Sequence, residues 1–177
     1  MKSNVAIDDD NIGLTFKATG GRAVRKDCGA AKLVRAIGIL RTLSGRRMFQ
    51  YRDASGTVRA VNTTQVNEFL REIAGIRISL KDFRTLMASA VVLESLSRVV
   101  PAKSAHGRKK QVLEAVRAAA EKLANTPAIC RKSYVHDTIV TAFEDGILER
   151  FAATIKGCRS QTRREQLLAQ VVATAAV

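Results

Sequence analysis

Asn125-Thr126-Pro127-Ala128-Ile129-Cys130-Arg131-Lys132-Ser133-Tyr134-Val135-His136 is the stretch on which the reading of this chain turns. Thr126-Pro127 marks a helix start, because proline suits the first helical turn, where its missing N–H removes no bond. Tyr134 then falls near the end of a short helix, just after Arg131-Lys132-Ser133, and Asp137 is placed to cap the next helix. A phenol, with an ordinary pKa of about 10, is a poor nucleophile unless cationic groups surround it and its target. Tyr134, one of two tyrosines, sits in such a segment, and the setting suits a nucleophile aimed at a phosphodiester.

The whole chain is basic as well. Lysine and arginine number 30 against 16 acids, a net charge of +14. That balance points to a polyanionic partner, most commonly nucleic acid; the plainer alternative is a soluble basic domain of the ribosomal kind. At 177 residues the expectation is one compact domain, and 46% apolar residues argue for a folded core rather than a basic tail. Cys28, Cys130 and Cys158 form no CxxC pair and read as reduced thiols, neither disulfides nor zinc ligands. No apolar run approaches the ~20 residues of a membrane span. The first ten residues lack the apolar core of a signal peptide, so the expected location is the cytoplasm, in association with the nucleoid.

Outward from the tyrosine run, the chain reads as mostly helical with a small β element at its N-terminal edge. Ile12 to Lys17 and Ala23 to Arg25 flank Thr19-Gly20-Gly21-Arg22, a hairpin signal that places a hairpin at residues 12–26. A helix with Leu33, Ile37 and Leu40 on one face follows, broken at Ser44-Gly45. Met48 to Tyr51 reads as the end of a strand and Asp53 to Gly56 as a turn. Thr63 or Thr64 is expected to cap a helix with Val66, Phe69, Leu70 and Ile73 inward, stopped at Gly75. Ser79-Leu80-Lys81-Asp82 has the form of a capping box ahead of a long helix with Phe83, Met87, Ala90 and Val91 on one side. After a polar loop from Pro101 to Arg108, Val112, Val116, Ala119 and Leu123 mark one face of a helix at about 108–123. Two further helices finish the chain, the last at about Gln161 to Ala173. The expected division is a hairpin (12–26), a helical core (30–152) and a C-terminal helix segment (158–177). That last helix, with Arg159, Arg163 and Arg164 ahead of Leu167, Leu168, Val171 and Val172, reads as a docking helix.

Three features line up: a hairpin with a basic turn, a capped helix presenting Arg84, and the Asn125 to His136 run. Together they resemble the catalytic domain of type IB DNA topoisomerases, in the bacterial, poxvirus-like branch. Lys81-Asp82-Phe83-Arg84-Thr85 is similar to that family's arginine motif and Asn125 to His136 to its tyrosine motif. Phe49-Gln50-Tyr51 and Asn67 to Ile73 are similar to its connecting segments, and the likeness runs from about residue 12 to residue 152. Taken singly, Arg84 reads as a surface residue, Asn125 as a helix cap, Tyr134 as packing and His136 as a cap or surface residue. Their joint order and spacing carry the likeness.

The resemblance implies the tyrosine-recombinase/type IB topoisomerase catalytic-domain fold and a mechanism without ATP or metal. Tyr134 would attack a DNA phosphodiester, forming a 3′-phosphotyrosyl bond and freeing a 5′-hydroxyl, and supercoils would relax by strand rotation before the hydroxyl reverses the attack. Arg84 would clamp the non-bridging oxygens, for which a bidentate guanidinium is suited. Asn125 would donate to one of those oxygens. Lys17, Lys81, Arg131 and Lys132 would contact double-stranded DNA.

The chain also departs from the pattern. The family's general-acid lysine, in the hairpin turn, falls here on Arg22, which keeps its charge but scarcely releases a proton, its pKa being above ~12. Lys17, one strand back, is the alternative donor. A second catalytic arginine upstream of the hairpin and the clamp domain have no counterpart in this sequence. The chain is therefore expected to be the C-terminal two-thirds of a catalytic domain, incomplete at its N-terminus, with a separate N-terminal topoisomerase fragment as a candidate partner. Losing one clamp costs ~100–1000-fold and losing the acid about another ~100-fold, so DNA binding with weak or no cleavage is expected. Two alternatives stay open: a catalytically dead DNA-binding remnant, and a tyrosine recombinase. The second is disfavoured because that family has His-x-x-Arg where this chain has Lys81-Asp82-Phe83-Arg84.

Overall fold

The structure, a computed structural model, describes residues 1–175. The chain divides into two compact units, Met1–Ser79 and Leu80–Val177.

In the first unit, β1 (Val5–Asp8), β2 (Asn11–Lys17) and β3 (Ala23–Gly29) form an antiparallel sheet in that order. The hairpin stands where the Gly-Gly pair placed it, with Lys17 opposite Ala23 and Asn11 opposite Gly29. Gly20 and Gly21 take φ of 89° and 82°, open only at strain to a residue with a Cβ. The Arg22 carbonyl accepts from the Ala18 amide at 2.7 Å and closes the turn. Side chains alternate along a strand, and residues opposite each other share a face. Lys17 therefore shares one face with Ala23, while Arg22 lies in the turn beyond the paired strands.

Strand β1, paired Val5 to Leu14 and Asp8 to Asn11, was not expected from the sequence. The cluster Asp8-Asp9-Asp10 masks the short alternation of Val5 and Ile7, and Asp9 turns the chain with φ of 44°. Val5 and Ile12 pack with Ile37 of α1 (Ala31–Thr42) and with Met48 in a small core.

β4 (Gln50–Arg52) and β5 (Val58–Ala60) form a second hairpin whose turn is organised by Asp53. Its carboxylate accepts from the amides of Ser55 and Thr57, each at 3.0 Å, and pairs with Arg59. The Ser55 hydroxyl first, and then Arg59, hold this carboxyl below its ordinary pKa.

α2 (Thr63–Ala74) is capped by Asn62, not by either threonine. The Asn62 side chain accepts from the Gln65 amide at 2.9 Å, and the Gln65 side chain accepts from the Asn62 amide at 3.0 Å. Gln65 can reciprocate only with a cap three residues before it, and that selects Asn62. The helix stops at Gly75, φ 65°, as expected. Its expected inward face is not buried: Phe69 is 58% and Ile73 69% exposed. A periodic stripe says which face is apolar, not that a covering surface is present. The Gln65 side chain also donates to the Tyr51 hydroxyl at 3.3 Å.

The second unit is helical: α3 (Leu80–Leu96), α4 (Ala105–Lys122), α5 (Pro127–Ser133), α6 (Asp137–Glu144), α7 (Glu149–Gly157) and α8 (Gln161–Thr174). α4 buries the face its period specified, Val112, Val116 and Ala119, continued by Leu123. It begins earlier than expected, with Ser104 as cap accepting from the Gly107 amide at 3.0 Å; its first turn is polar and carries no apolar period. α3 turns inward a face that matches the expected one only in part: Ala90 and Val91 pack half-buried against the core. Ala88, Ser89, Val92, Leu93 and Leu96 are buried, while Phe83 and Met87 are 50% and 45% exposed. Apolar residues occupy most of the circumference of α3, so periodicity does not single out one stripe.

The core closes with Ile139 and Phe143 of α6, Ile155 of α7, and Leu167, Leu168 and Val171 of α8. α8 occupies most of the expected C-terminal segment, of which residues 176 and 177 lie outside the described residues. Phe143, 1% exposed, is the largest side chain fully enclosed. Phe143→Ala is expected to cost ~3–5 kcal/mol, the usual penalty for emptying a buried phenyl site. Urea unfolding would read this as a lowered midpoint, and a loss below ~1 kcal/mol would show that the core refills the cavity. Among the described residues no helix is long and apolar enough to cross a membrane.

Candidate active site

Tyr134 ends α5. The helix begins as its sequence dictates, with the Thr126 hydroxyl accepting from the Ile129 amide at 3.3 Å and Pro127 in the first turn. It ends when Tyr134 leaves helical geometry, its amide still bonded to the Cys130 carbonyl at 3.0 Å. The Val135 amide goes to the same carbonyl at 3.2 Å. Tyr134 is half-buried, and over its ring lies the Arg84 guanidinium, 4.8 Å from the centroid.

Arg84 stands near the start of α3 and is held from a third segment. Its Nη2 donates to the Leu123 carbonyl at 3.3 Å, at the C-terminal end of α4. The next residue, Ala124, is buried and takes φ of 52°. That left-handed geometry costs a non-glycine residue roughly 1–2 kcal/mol and bends the chain sharply out of the helix. The bend sets Asn125 directly before α5. The Asn125 amide bonds to the Ala120 carbonyl at 2.8 Å, and its side-chain oxygen accepts from the Thr126 amide at 3.0 Å. One turn thus places both the carbonyl that holds Arg84 and the amide side chain expected to act beside it.

The Arg84 Nε is buried and has no hydrogen-bond partner. An unsatisfied buried donor costs about 1–3 kcal/mol, more when charged. Stacking on the ring returns ~0.5–2 kcal/mol. The side chain is therefore held by the stack and the Leu123 bond, with one enclosed donor left unsatisfied. Cys130, fully buried, lies within the electrostatic reach of Arg84: burial pushes its thiol up, and the guanidinium charge partly offsets this.

The remaining candidates fall in two places. Lys81 and Lys132 are exposed on the second unit. Arg131 is engaged by Asp137 at 2.5 Å. Asp137 is thereby corrected as a cap: the N-cap position of α6 is His136, which makes no side-chain cap bond, and the Asp137 carboxylate turns back to the guanidinium. Arg22 and Lys17 are exposed residues of the hairpin in the first unit. Among the described residues no group of three or more His, Cys, Asp or Glu side chains could hold a metal ion.

Two participants had gone unnoticed in the sequence. The Leu123 carbonyl is a backbone group, and no residue type signals it. Ser89, 2% exposed, accepts from the His136 amide at 3.1 Å, with its hydroxyl 3.4 Å from the Tyr134 carbonyl. A serine inside an apolar helical run carries no signal beyond being a polar residue among Ala88, Ala90 and Val91.

Residues 30–162 match the family described as "Eukaryotic DNA topoisomerase I, catalytic core". The matched range contains Arg84, Asn125 and Tyr134 and leaves out Lys17 and Arg22. Over 151 residues the chain is 27% identical to a protein of Acanthamoeba polyphaga mimivirus named DNA topoisomerase 1B, which covers 81% of this chain and 45% of that protein. The chain thus spans about half the length of the curated relative it matches.

Proposed function

The chain belongs to the family of the DNA topoisomerase I catalytic core, of type IB, and on that footing we propose that it cleaves and reseals one strand of duplex DNA through Tyr134. The Tyr134 oxygen attacks phosphorus, the bond to the 5′-oxygen breaks, and the strand is held as a 3′-phosphotyrosyl ester. The freed 5′-hydroxyl later attacks the same phosphorus and expels the tyrosine. Bond energy is conserved in the ester, so the cycle needs neither ATP nor a metal ion. We place the chain in the bacterial, poxvirus-like branch on its arginine and tyrosine motifs, and at the nucleoid as a consequence of DNA binding.

The observation that carries this reading is the guanidinium of Arg84 over the Tyr134 ring, held there by the Leu123 carbonyl. Negative charge gathers on the non-bridging oxygens as the phenol attacks, and a preorganised guanidinium stabilises it without reorganising. Asn125 supplies a further donor. Lys81, Lys132 and Arg131 neutralise flanking phosphates, Arg131 on exchanging Asp137 for DNA. Binding should then weaken steeply with salt, because each neutralised phosphate releases counterions.

A second reading, DNA binding without cleavage, is favoured by Arg22 in the hairpin turn. The departing 5′-oxygen needs a proton, and a guanidinium scarcely supplies one. Lys17 is a weak substitute because it sits on strand β2, opposite Ala23, and not in the turn that carries Arg22. Arg22→Lys is therefore expected to raise single-turnover cleavage by on the order of 100-fold, the usual contribution of a positioned acid. An unchanged rate would show that the hairpin residue is not the donor.

The two readings separate on a suicide duplex whose cleaved end diffuses away. A protein–DNA band surviving a denaturing gel supports strand cleavage. Its absence, with filter binding intact, supports the binding protein.

A further inference from the structure

We propose that Ser89 is a positioning residue for the nucleophile, fixing the backbone on which Tyr134 is carried; this rests on the reading of Tyr134 given above. Tyr134, Val135 and His136 link α5 to α6. The amides at the start of this link, those of Tyr134 and Val135, both go to the Cys130 carbonyl. The His136 amide goes to the Ser89 Oγ at 3.1 Å, and the Tyr134 carbonyl faces the same hydroxyl at 3.4 Å. His136 opens α6 without a side-chain cap bond, so the α6 side of the link has no local brace of that kind. One buried hydroxyl therefore touches both ends of the link.

The position of that hydroxyl matters as much as its bonds. Ser89 and Arg84 are both on α3, whose inward face is packed against α4. One rigid helix thus carries the guanidinium over the ring and the hydroxyl that holds the ring's backbone. The same helix contributes to the placement of both the clamp and the nucleophile. Attack on phosphorus is sensitive to such placement, since a shift of about 1 Å can cost on the order of 100-fold. Ser89 touches no reacting atom in this scheme and acts only through Tyr134.

The test pairs Ser89→Ala with Ser89→Thr, which keeps a hydroxyl. Ser89→Ala is expected to lower the single-turnover cleavage rate by roughly 10–100-fold, with the Kd for a non-cleavable duplex unchanged. Ser89→Thr is expected to recover most of the rate. Amide exchange supplies a readout free of catalysis: in Ser89→Ala the His136 amide should exchange faster by about tenfold or more, the opening expected of a lost local bond, while Ile139 to Phe143 keep their protection. Unchanged exchange at His136 overturns the proposal, as does a cleavage rate that survives Ser89→Ala or falls only in step with protection across the whole unit. Absence of any adduct with the unaltered protein is a different result: it overturns the assignment of Tyr134 and with it any need for positioning, whatever the exchange shows.

Discussion

Tyr134→Phe is expected to leave no covalent protein–DNA band on a denaturing gel while binding the same duplex as tightly as the unaltered chain. The substitution removes one oxygen and keeps the ring, so the face on which the Arg84 guanidinium lies is retained. Packing around the half-buried side chain also stays, and stability should move little. Deleting the nucleophile of a covalent mechanism costs on the order of 10⁶-fold, far beyond the range of a gel assay. A band that persists at the original intensity would show that another group attacks. The other tyrosine, Tyr51, would be the first to test; it lies in β4 of the first unit, where its hydroxyl accepts from Gln65.

Arg84→Ala is expected to lower single-turnover cleavage by ~100–1000-fold, the usual effect of removing one preorganised donor from a developing oxyanion. Stability should respond differently. The change forfeits the stack on Tyr134 and the bond to the Leu123 carbonyl, but it also removes a buried Nε that has no partner. Those contributions oppose each other and are of similar size, about 1–3 kcal/mol. A large loss of rate with a small change in urea midpoint would mark Arg84 as held for the reaction rather than for the fold. Arg84→Lys should not restore the rate, because an ammonium has neither the planar face to stack nor the fork to grip two oxygens. Cleavage by Arg84→Ala at the original rate would remove Arg84 from the mechanism.

What could be read from the sequence was whatever local chemistry decides. Thr126-Pro127 starts α5, and Tyr134 ends it, because capping and the proline ring act within one turn. Gly20-Gly21 makes the hairpin turn for the same reason. The inward face of α4 was legible because its apolar residues are set off by charged ones. On α3 that contrast is missing, and Phe83 and Met87 were assigned to the wrong side. α2 displays a clear stripe yet buries none of its residues, since burial depends on a second surface that a period cannot reveal. The meeting of Arg84, Leu123 and Tyr134 depends on how three helical segments pack, so only the family likeness could suggest it. Ser89 was beyond either route. Its role comes from a hydroxyl facing two backbone groups, and nothing in its neighbours' identities announces that.

The two tyrosines fall one to each unit, and the chain has no tryptophan. Under excitation that phenylalanine does not absorb, emission therefore comes from Tyr51 and Tyr134. In a Tyr51→Phe chain that tyrosine emission would originate from the ring beneath the Arg84 guanidinium. A phosphate arriving at that guanidinium would change the charge beside this ring and so its brightness, giving an unlabelled optical signal for the DNA engagement proposed for Arg84.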